Sequence, residues 1–137
     1  MLDPRGRNEA GIARDPRAAR GRAAEDAACA LLVREGYRVL ERNVRLAGAE
    51  IDVIARDGEV VVFVEVRSRS SRRHGGPLET IGATKRVRIA RAASAWLAAR
   101  QRRGGRYPPA RFDVVGVDWK EGIPLCTLVR NAFESPL

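Results

Sequence analysis

The sequence is poor in cysteine, histidine and aromatic residues, and each shortage excludes a class of protein. Two cysteines, Cys29 and Cys126, exclude a disulfide-dense secreted scaffold and a four-cysteine zinc site. The single histidine, His74, excludes metal centres built on several imidazoles. Aromatic residues make up 5% of the chain, too few for a platform that reads single-stranded bases by stacking. Any catalysis must therefore be carried by carboxylates.

Long apolar runs are missing as well. The longest, at 27–33, covers seven residues, whereas a helix that crosses a bilayer needs about 20. The first fifteen residues contain no apolar segment of the kind that forms the middle of a signal peptide. We therefore expect a cytoplasmic protein with no membrane partner.

Positive charge is what the chain has in excess. Its 26 basic and 17 acidic side chains give a net charge of +9, and all but two of the basic residues are arginine. The forked guanidinium group suits phosphate oxygens, so nucleic acid is the expected class of partner. The alternative is that a composition rich in arginine and alanine reflects genome base composition and leaves a merely solvated basic surface.

The length of 137 residues suits one domain. Residues 1–19 mix proline, glycine and charge without apolar periodicity and are predicted to form a flexible basic arm, followed by a single domain at 20–134. Within the domain, apolar spacing predicts helices at about 19–35 and 83–102, and strands at 37–44, 50–56, 60–67, 111–119 and 123–130. The expected fold is α/β in the order αβββαββ, with a sheet flanked by helices and a crossover helix that permits a parallel strand pair.

The Asp57-Gly58 dipeptide predicts a hairpin with a two-residue turn between the second and third strands. This register places Glu50 opposite Glu65. It also makes Asp52 a diagonal neighbour of Glu65, with about 7 to 8 Å between their backbones.

One face of the hairpin is predicted to carry Glu50, Asp52, Glu65 and Arg67. The other face is predicted to be an apolar layer of Ile51, Val53, Val60, Val62, Val64 and Val66. Crowded carboxylates repel one another, so a cation must compensate. A hard divalent ion such as Mg²⁺ would serve, as would a basic side chain. A three-residue turn would instead send the acids to opposite faces.

The first helix offers a further acid. Glu25 lies on the side of this helix that carries Ala28 and Leu32, from which it could reach the metal directly or through water. The alternative is a carboxylate in the N-terminal turn that is favoured by the helix dipole.

Ordered sequence blocks between residues 21 and 133 resemble one family. Glu50-Ile51-Asp52 followed by FVEVR is similar to the metal-binding core of the PD-(D/E)XK nuclease superfamily, which has the restriction-endonuclease-like fold. More closely, the chain resembles the YraN family of uncharacterised bacterial proteins, in the blocks GRAAEDAA, GYRVLERNVR, GAEIDVIAR, VFVEVRSR, HGGPLETIGATKRVRIARAASAWL, RFDVVGV and NAF.

The resemblance implies a three-layer core in which Asp52 and Glu65 bind a catalytic Mg²⁺ ion, with Mn²⁺ as the alternative ion. It implies that Glu25 supplies the helix acid of the Holliday-junction-resolvase-like branch. Glu50 belongs to the family motif and, with Glu25, is a further candidate ligand of the ion. Resemblance to that branch also implies a homodimer with two sites.

The lysine of the superfamily motif aligns with Arg67. Arginine can neutralise charge but effectively never deprotonates, so it cannot act as a base. Lys85, on the flank of the second long helix, also matches a family lysine and could supply the missing amine. The alternative for Lys85 is a surface lysine.

A basic segment follows the third strand directly. Five of its residues are candidates for contacts with a phosphate backbone: Ser68, Arg69, Arg72, Arg73 and His74. The alternative is a solvated, disordered loop. Farther along, Phe112 is expected in the core and Asp113 beside an arginine.

Together these features predict a Mg²⁺-dependent endonuclease with Glu25, Asp52, Glu65, Arg67 and Lys85 as catalytic residues, acting on branched or damaged DNA. The alternative is a catalytically silent module of the same fold that binds DNA or structured RNA, and Arg67 in the lysine position favours it.

Overall fold

The computed structural model describes residues 16–69, 81–101 and 105–137. In these ranges the elements follow the order αβββαββ, which confirms the predicted fold class. They are α1 (Pro16–Arg34), β1 (Arg38–Leu46), β2 (Ala49–Asp57), β3 (Val60–Arg69), α2 (Ala83–Arg100), β4 (Ala110–Lys120) and β5 (Ile123–Phe133). Helix α1 begins three residues before the predicted position, and residues 1–15 of the predicted arm lie outside the described residues.

Helix α1 follows from its composition and its ends. Pro16 occupies the first helical position, where a missing N–H costs nothing. Gly36, with φ of +94°, ends the helix because it adopts the left-handed backbone easily. Ala24, Ala28 and Leu32 are fully or almost fully buried, so the helix lies with this stripe against the sheet. Neither described helix is long and apolar enough to cross a membrane.

The sheet has five strands in the order β1-β2-β3-β4-β5. Only β3 and β4 pair in parallel, with α2 as the crossover between them, as the sequence predicted. The central strand β3 is rich in β-branched residues, and Val61, Val62, Phe63 and Val64 are all buried. Such continuous burial is typical of a strand covered on both faces.

The β2–β3 hairpin has a different register from the predicted one. Asp57 pairs with Val60, so the turn consists of Gly58 and Glu59, and the pairing is offset by two residues. Gly58, with φ of +65°, takes the first turn position, where type II′ hairpins carry glycine. An offset of two leaves the paired residues 53–57 and 60–64 on their expected faces, because strands have a period of two.

The two faces of the sheet bury separate cores. On the α1 side, Val53, Ala55, Val62 and Val64 pack with the helix stripe. The α2 side is larger and contains Ile54, Phe63, Trp96 and Phe112 among others. Phe63 meets Trp96 edge to face, with 5.9 Å between the ring centroids. The prediction that Phe112 belongs to the core is confirmed.

Ile51 departs from the predicted apolar layer. Instead of joining Val53, it lies in the core on the α2 side. Across the β1–β2 pair, Ile51 lies opposite Val44 and Val53 lies opposite Arg42. Asn43, between these partners, has φ of 55°, a left-handed conformation that interrupts the alternation of β1. The side chains on either side of Asp52 therefore point to different faces.

A buried polar cluster surrounds Asp113 near the start of β4. This fully buried carboxylate accepts hydrogen bonds from the Tyr37 hydroxyl (2.6 Å), Arg111 Nε (3.0 Å) and the backbone N–H of Asn131 (2.8 Å). Arg111 also donates to Asp57 Oδ2 at 2.7 Å. The prediction that Asp113 pairs with an arginine is confirmed, and the cluster fastens β4 to β5 and to the end of β2.

Candidate metal centre

Asp52 and Glu65 meet where the regular β2–β3 ladder ends. The last regular pair is Val53 with Val64, and the two acids are the next residues along their strands. Repulsion between the two carboxyl groups and a side-chain interaction with Glu65 both raise the pKa of Asp52, so the two groups lie next to each other. The structure thus brings together the two acids that the hairpin pattern placed on one face, as facing rather than diagonal neighbours.

The surroundings of Asp52 favour its neutral form. Burial raises the pKa of this carboxyl to about 7, and repulsion from Glu65 and, more weakly, from Glu25 acts in the same direction. The backbone N–H of Val66, which donates to Asp52 Oδ2 at 2.8 Å, opposes the shift. Asp52 therefore holds its proton below about pH 7 in the absence of a metal.

Lys85 supplies a cation to this pair. It lies in the first turn of α2, and its Nζ donates to Glu65 Oε2. The turn is anchored by Ile81, which is buried and whose carbonyl accepts from Arg86 Nε at 2.8 Å. The lysine side chain is half exposed while the Glu65 side chain is 8% exposed, so the amine reaches the pair from the solvent side. Of the two alternatives for Lys85, the structure favours a position in the site.

The other predicted acids lie apart from this pair. Glu25 is half-buried on α1, with its Oε1 3.7 Å from Nη2 of Arg42. Glu50 is exposed and lies 4.0 Å from Arg45, its cross-strand partner. The prediction that Glu50 faces Glu65 is wrong, because the hairpin register is offset and the alternation of β2 breaks at Asp52.

The size of the acid group follows from these positions. Within the described ranges, no three or more histidine, cysteine, aspartate or glutamate side chains gather where they could hold one ion. Of the four predicted acids, Asp52 and Glu65 lie together. Glu25 acts on Asp52 through its charge.

The predicted phosphate-binding residues are divided by the end of β3. Ser68 and Arg69 belong to this strand and not to a loop as expected, and the Ser68 hydroxyl accepts from Trp119 Nε1 at 2.9 Å. Arg67 is half-buried on the same strand. The side chain of Arg69, and Arg72, Arg73 and His74, lie outside the described residues.

Two contributors escaped the sequence reasoning. The N–H of Val66 is a backbone group, and no side-chain pattern reveals its partner. Arg42 reaches both Glu25 and Asp26 from β1. Its position opposite Val53, on the side of α1, could have been found only with the correct β1–β2 register.

The donor set fits a hard divalent cation. Mg²⁺ is usually held by one or two carboxylates and takes its remaining ligands from water and substrate phosphate. Asp52 and Glu65 match that number, and the repulsion between them is one cause of the raised pKa of Asp52. Both residues therefore fit the role of ligands.

Comparison with known proteins places this arrangement in a family. The model of the uncharacterised protein family UPF0102 matches residues 24–117, a range that includes Glu25, Asp52, Glu65 and Lys85. The chain belongs to the UPF0102 family. This is the YraN family that the sequence blocks resemble.

The relatives of this UPF0102 protein cover nearly its whole length. A UPF0102 protein of Symbiobacterium thermophilum is 49% identical over 116 residues, which cover 84% of this chain and 96% of the relative. One from an Anaeromyxobacter species is 46% identical over 129 residues, covering 94% and 92% of the two chains. One from Moorella thermoacetica is 44% identical over 116 residues, covering 83% and 94%.

Proposed function

We propose that this UPF0102 protein is a Mg²⁺-dependent endonuclease that hydrolyses DNA phosphodiester bonds, with Mn²⁺ as an alternative ion. The observation that carries the proposal is the contact between the Asp52 and Glu65 carboxyl groups, with the Lys85 amine bonded to Glu65. One buried acid, one half-buried acid and a solvent-facing amine form a group that can hold a divalent ion next to a phosphate.

Each residue has a distinct role in this proposal. Asp52 and Glu65 would hold the ion, which when bound polarises the phosphate and makes water a better nucleophile. The N–H of Val66 fixes the orientation of the Asp52 carboxylate. Lys85 holds Glu65 in place and stabilises the negative charge that grows on the phosphate during attack.

Two further charged residues act around this centre. Glu25, on α1, would reach the ion through a water molecule that it orients. Arg67 would neutralise the phosphate but not act as a base, since its guanidinium keeps its proton.

The charge of the chain supports nucleic acid as the substrate. A net charge of +9, carried almost entirely by arginine, raises the local concentration of polyanions around the protein. Resemblance to the resolvase-like branch supports branched or damaged DNA as the substrate and a homodimer with two sites.

The test is cleavage of duplex, nicked and four-way DNA as Mg²⁺ or Mn²⁺ is titrated. We expect metal-dependent cleavage by the wild type and none by Glu65→Gln. The matched control is Glu50→Gln, which removes an exposed acid of the same hairpin outside the pair and should cleave normally. Equal cleavage by wild type and Glu65→Gln would contradict the proposal.

A second candidate is a nucleic-acid-binding module without turnover. It is favoured by the absence of a third acid beside the pair within the described ranges and by Arg67 in the motif position of lysine. This candidate predicts tight DNA binding in EDTA with no cleavage on any substrate. Tighter binding to structured RNA than to DNA at physiological salt would identify RNA as its ligand.

A further inference from the structure

A separate pocket lies at the opposite end of α2 from Lys85. Its volume is about 370 Å³, within the range of roughly 300–1,000 Å³ that is common for small-molecule sites. Leu40, Val61 and Leu97 provide its apolar wall, and Arg56, Arg100 and Arg106 line it with positive charge. Among the described residues that line the pocket, none is acidic. An apolar wall beside three guanidinium groups suits a ligand with one flat, weakly polar part and one anionic part.

The charge in this pocket is poorly compensated by the protein itself. Arg56 lies directly opposite Arg38 in the β1–β2 pair, and like charges opposite one another destabilise a sheet. Among the described residues, no ion pair joins Arg56 or Arg106 to an acidic side chain. A bound anion would relieve the repulsion that the fold otherwise carries.

Arg100 differs from the other two because it is held in place. Its guanidinium lies over the Trp96 ring, 4.1 Å from the ring centroid, and donates to Glu41. Glu41 also accepts from Trp96 Nε1 at 3.2 Å, so three residues fix one another. The Arg100 side chain is still 47% exposed. A fixed planar guanidinium with exposed surface is a group on which a nucleobase can stack.

We propose that this pocket binds a nucleotide. The base lies against Leu97 and the Arg100 guanidinium, and the phosphate is bound by Arg56 and Arg106, whose forked donors match phosphate oxygens. The nucleotide is either a free one or the terminal nucleotide of a nucleic-acid strand, and both sources present the same chemistry.

The position of the pocket relative to the acid pair suits the end of a nucleic-acid strand. Arg56 lies four residues from Asp52 on β2, and Val61 lies four residues from Glu65 on β3. At about 3.3 Å per residue, the pocket is therefore about 13 Å from the pair along the strands. If the pocket holds the end of a strand, a phosphodiester bond a few nucleotides from that end lies at the acid pair. This part of the inference rests on the proposed function.

The binding test uses deoxyadenosine 5′-monophosphate and a 5′-phosphorylated oligonucleotide, each titrated by calorimetry in EDTA. In a Trp119→Phe background, Trp96 is the only tryptophan and reports whether the ligand binds beside it. We expect saturable binding of at least one ligand with a change in Trp96 fluorescence. Adenosine without phosphate and inorganic phosphate should each bind at least about tenfold more weakly, since each lacks half of the contacts.

Variants connect the binding to the pocket. Arg56→Gln and Arg106→Gln should each weaken binding about tenfold, because a charge-assisted hydrogen bond is lost. Arg91→Gln is the matched control, since Arg91 is exposed on α2 and does not line the pocket. Tighter binding of the free nucleotide identifies a free ligand, and equal binding shows that the pocket holds one nucleotide from either source. Tighter binding of the oligonucleotide identifies a strand end.

The inference is overturned if neither ligand binds saturably, or if Arg91→Gln weakens binding as much as the pocket variants. Because EDTA prevents metal-dependent cleavage, this failure is distinct from failure of the proposed function, which is measured separately as metal-dependent cleavage by the wild type.

Discussion

The Nζ atom of Lys85 donates a hydrogen bond to Oε2 of Glu65, joining the first turn of α2 to the central strand. The contact provides an amine at the acid pair although the lysine position of the motif, two residues after Glu65, is occupied by Arg67. The chain has only one other lysine, Lys120, at the end of β4. The lysine contribution to catalysis can therefore be tested with a control of the same residue type.

Replacing Lys85 by methionine is expected to lower the single-turnover rate of DNA cleavage about 100-fold, because one positively charged donor to the transition state is lost. Lys120→Met should cleave at the wild-type rate. Lys85→Arg should recover part of the rate, since it restores the charge but not the compact ammonium group. A wild-type rate in Lys85→Met would exclude the role proposed for this amine.

The raised pKa of Asp52 predicts how the stability of the metal-free protein depends on pH. Folding raises this pKa from 3.8 to about 7, so the contribution of Asp52 to stability is complete below about pH 3.8 and is lost as the pH rises through about 7. In EDTA, we expect the free energy of unfolding to fall by on the order of a few kcal/mol between about pH 5 and pH 8. Urea titrations at both values measure this change.

Two variants isolate the effect of Asp52. Asp52→Asn keeps an acceptor for the N–H of Val66 but cannot ionise, so its stability should depend less on pH and exceed that of the wild type at about pH 8. Glu50→Gln, outside the pair, should retain the wild-type dependence. If Asp52→Asn loses as much stability as the wild type over this range, another group is responsible.

Divalent metal should reverse this loss of stability. Binding to the folded state alone stabilises it by about 2.7 kcal/mol at 100 times the dissociation constant. We therefore expect Mg²⁺ or Mn²⁺ to raise the melting temperature of the wild type, and more at about pH 8 than at pH 5, where protons compete with the ion. Asp52→Asn should show little shift, while Glu50→Gln should behave like the wild type. An equal shift in Asp52→Asn would place the ion elsewhere.

The polar cluster around Asp113 should contribute to stability. Tyr37→Phe removes a donor to a fully buried carboxylate, and we expect a loss of about 1–3 kcal/mol in the free energy of unfolding. The only other tyrosine, Tyr107, is exposed, so Tyr107→Phe should change stability by less than about 0.5 kcal/mol. Urea unfolding distinguishes the two, and similar values for both variants would show that water replaces the hydroxyl of Tyr37.

The sequence was sufficient to predict the acid pair because the prediction depended on strand periodicity and on a two-residue turn, and the observed turn has that length. The observed hairpin is offset by two residues, which preserves the face of Asp52 and of Glu65. The same reasoning failed for Glu50 and Ile51, since the left-handed conformation of Asn43 leaves no signal in the apolar pattern.

Contacts between distant elements were beyond reach for a different reason. A helical wheel places Lys85 on the flank of α2, but the packing of Ile81, Ile89 and Trp96 against the sheet decides which way that flank faces. The arginine pocket draws its walls from β1, β2, β3, α2 and the segment before β4, so no local sequence window contains it.

The hydrogen bond from the Val66 N–H to Asp52 has a consequence for comparing relatives. Because a side-chain oxygen here satisfies a main-chain amide, an acceptor at position 52 is useful to any member that folds this way, whether or not it turns over a substrate. Retention of aspartate there would be weak evidence of activity. Among the described residues, the Lys85 side chain donates to no main-chain carbonyl. The identity of the residue at position 85 is therefore the better guide to which relatives are active enzymes.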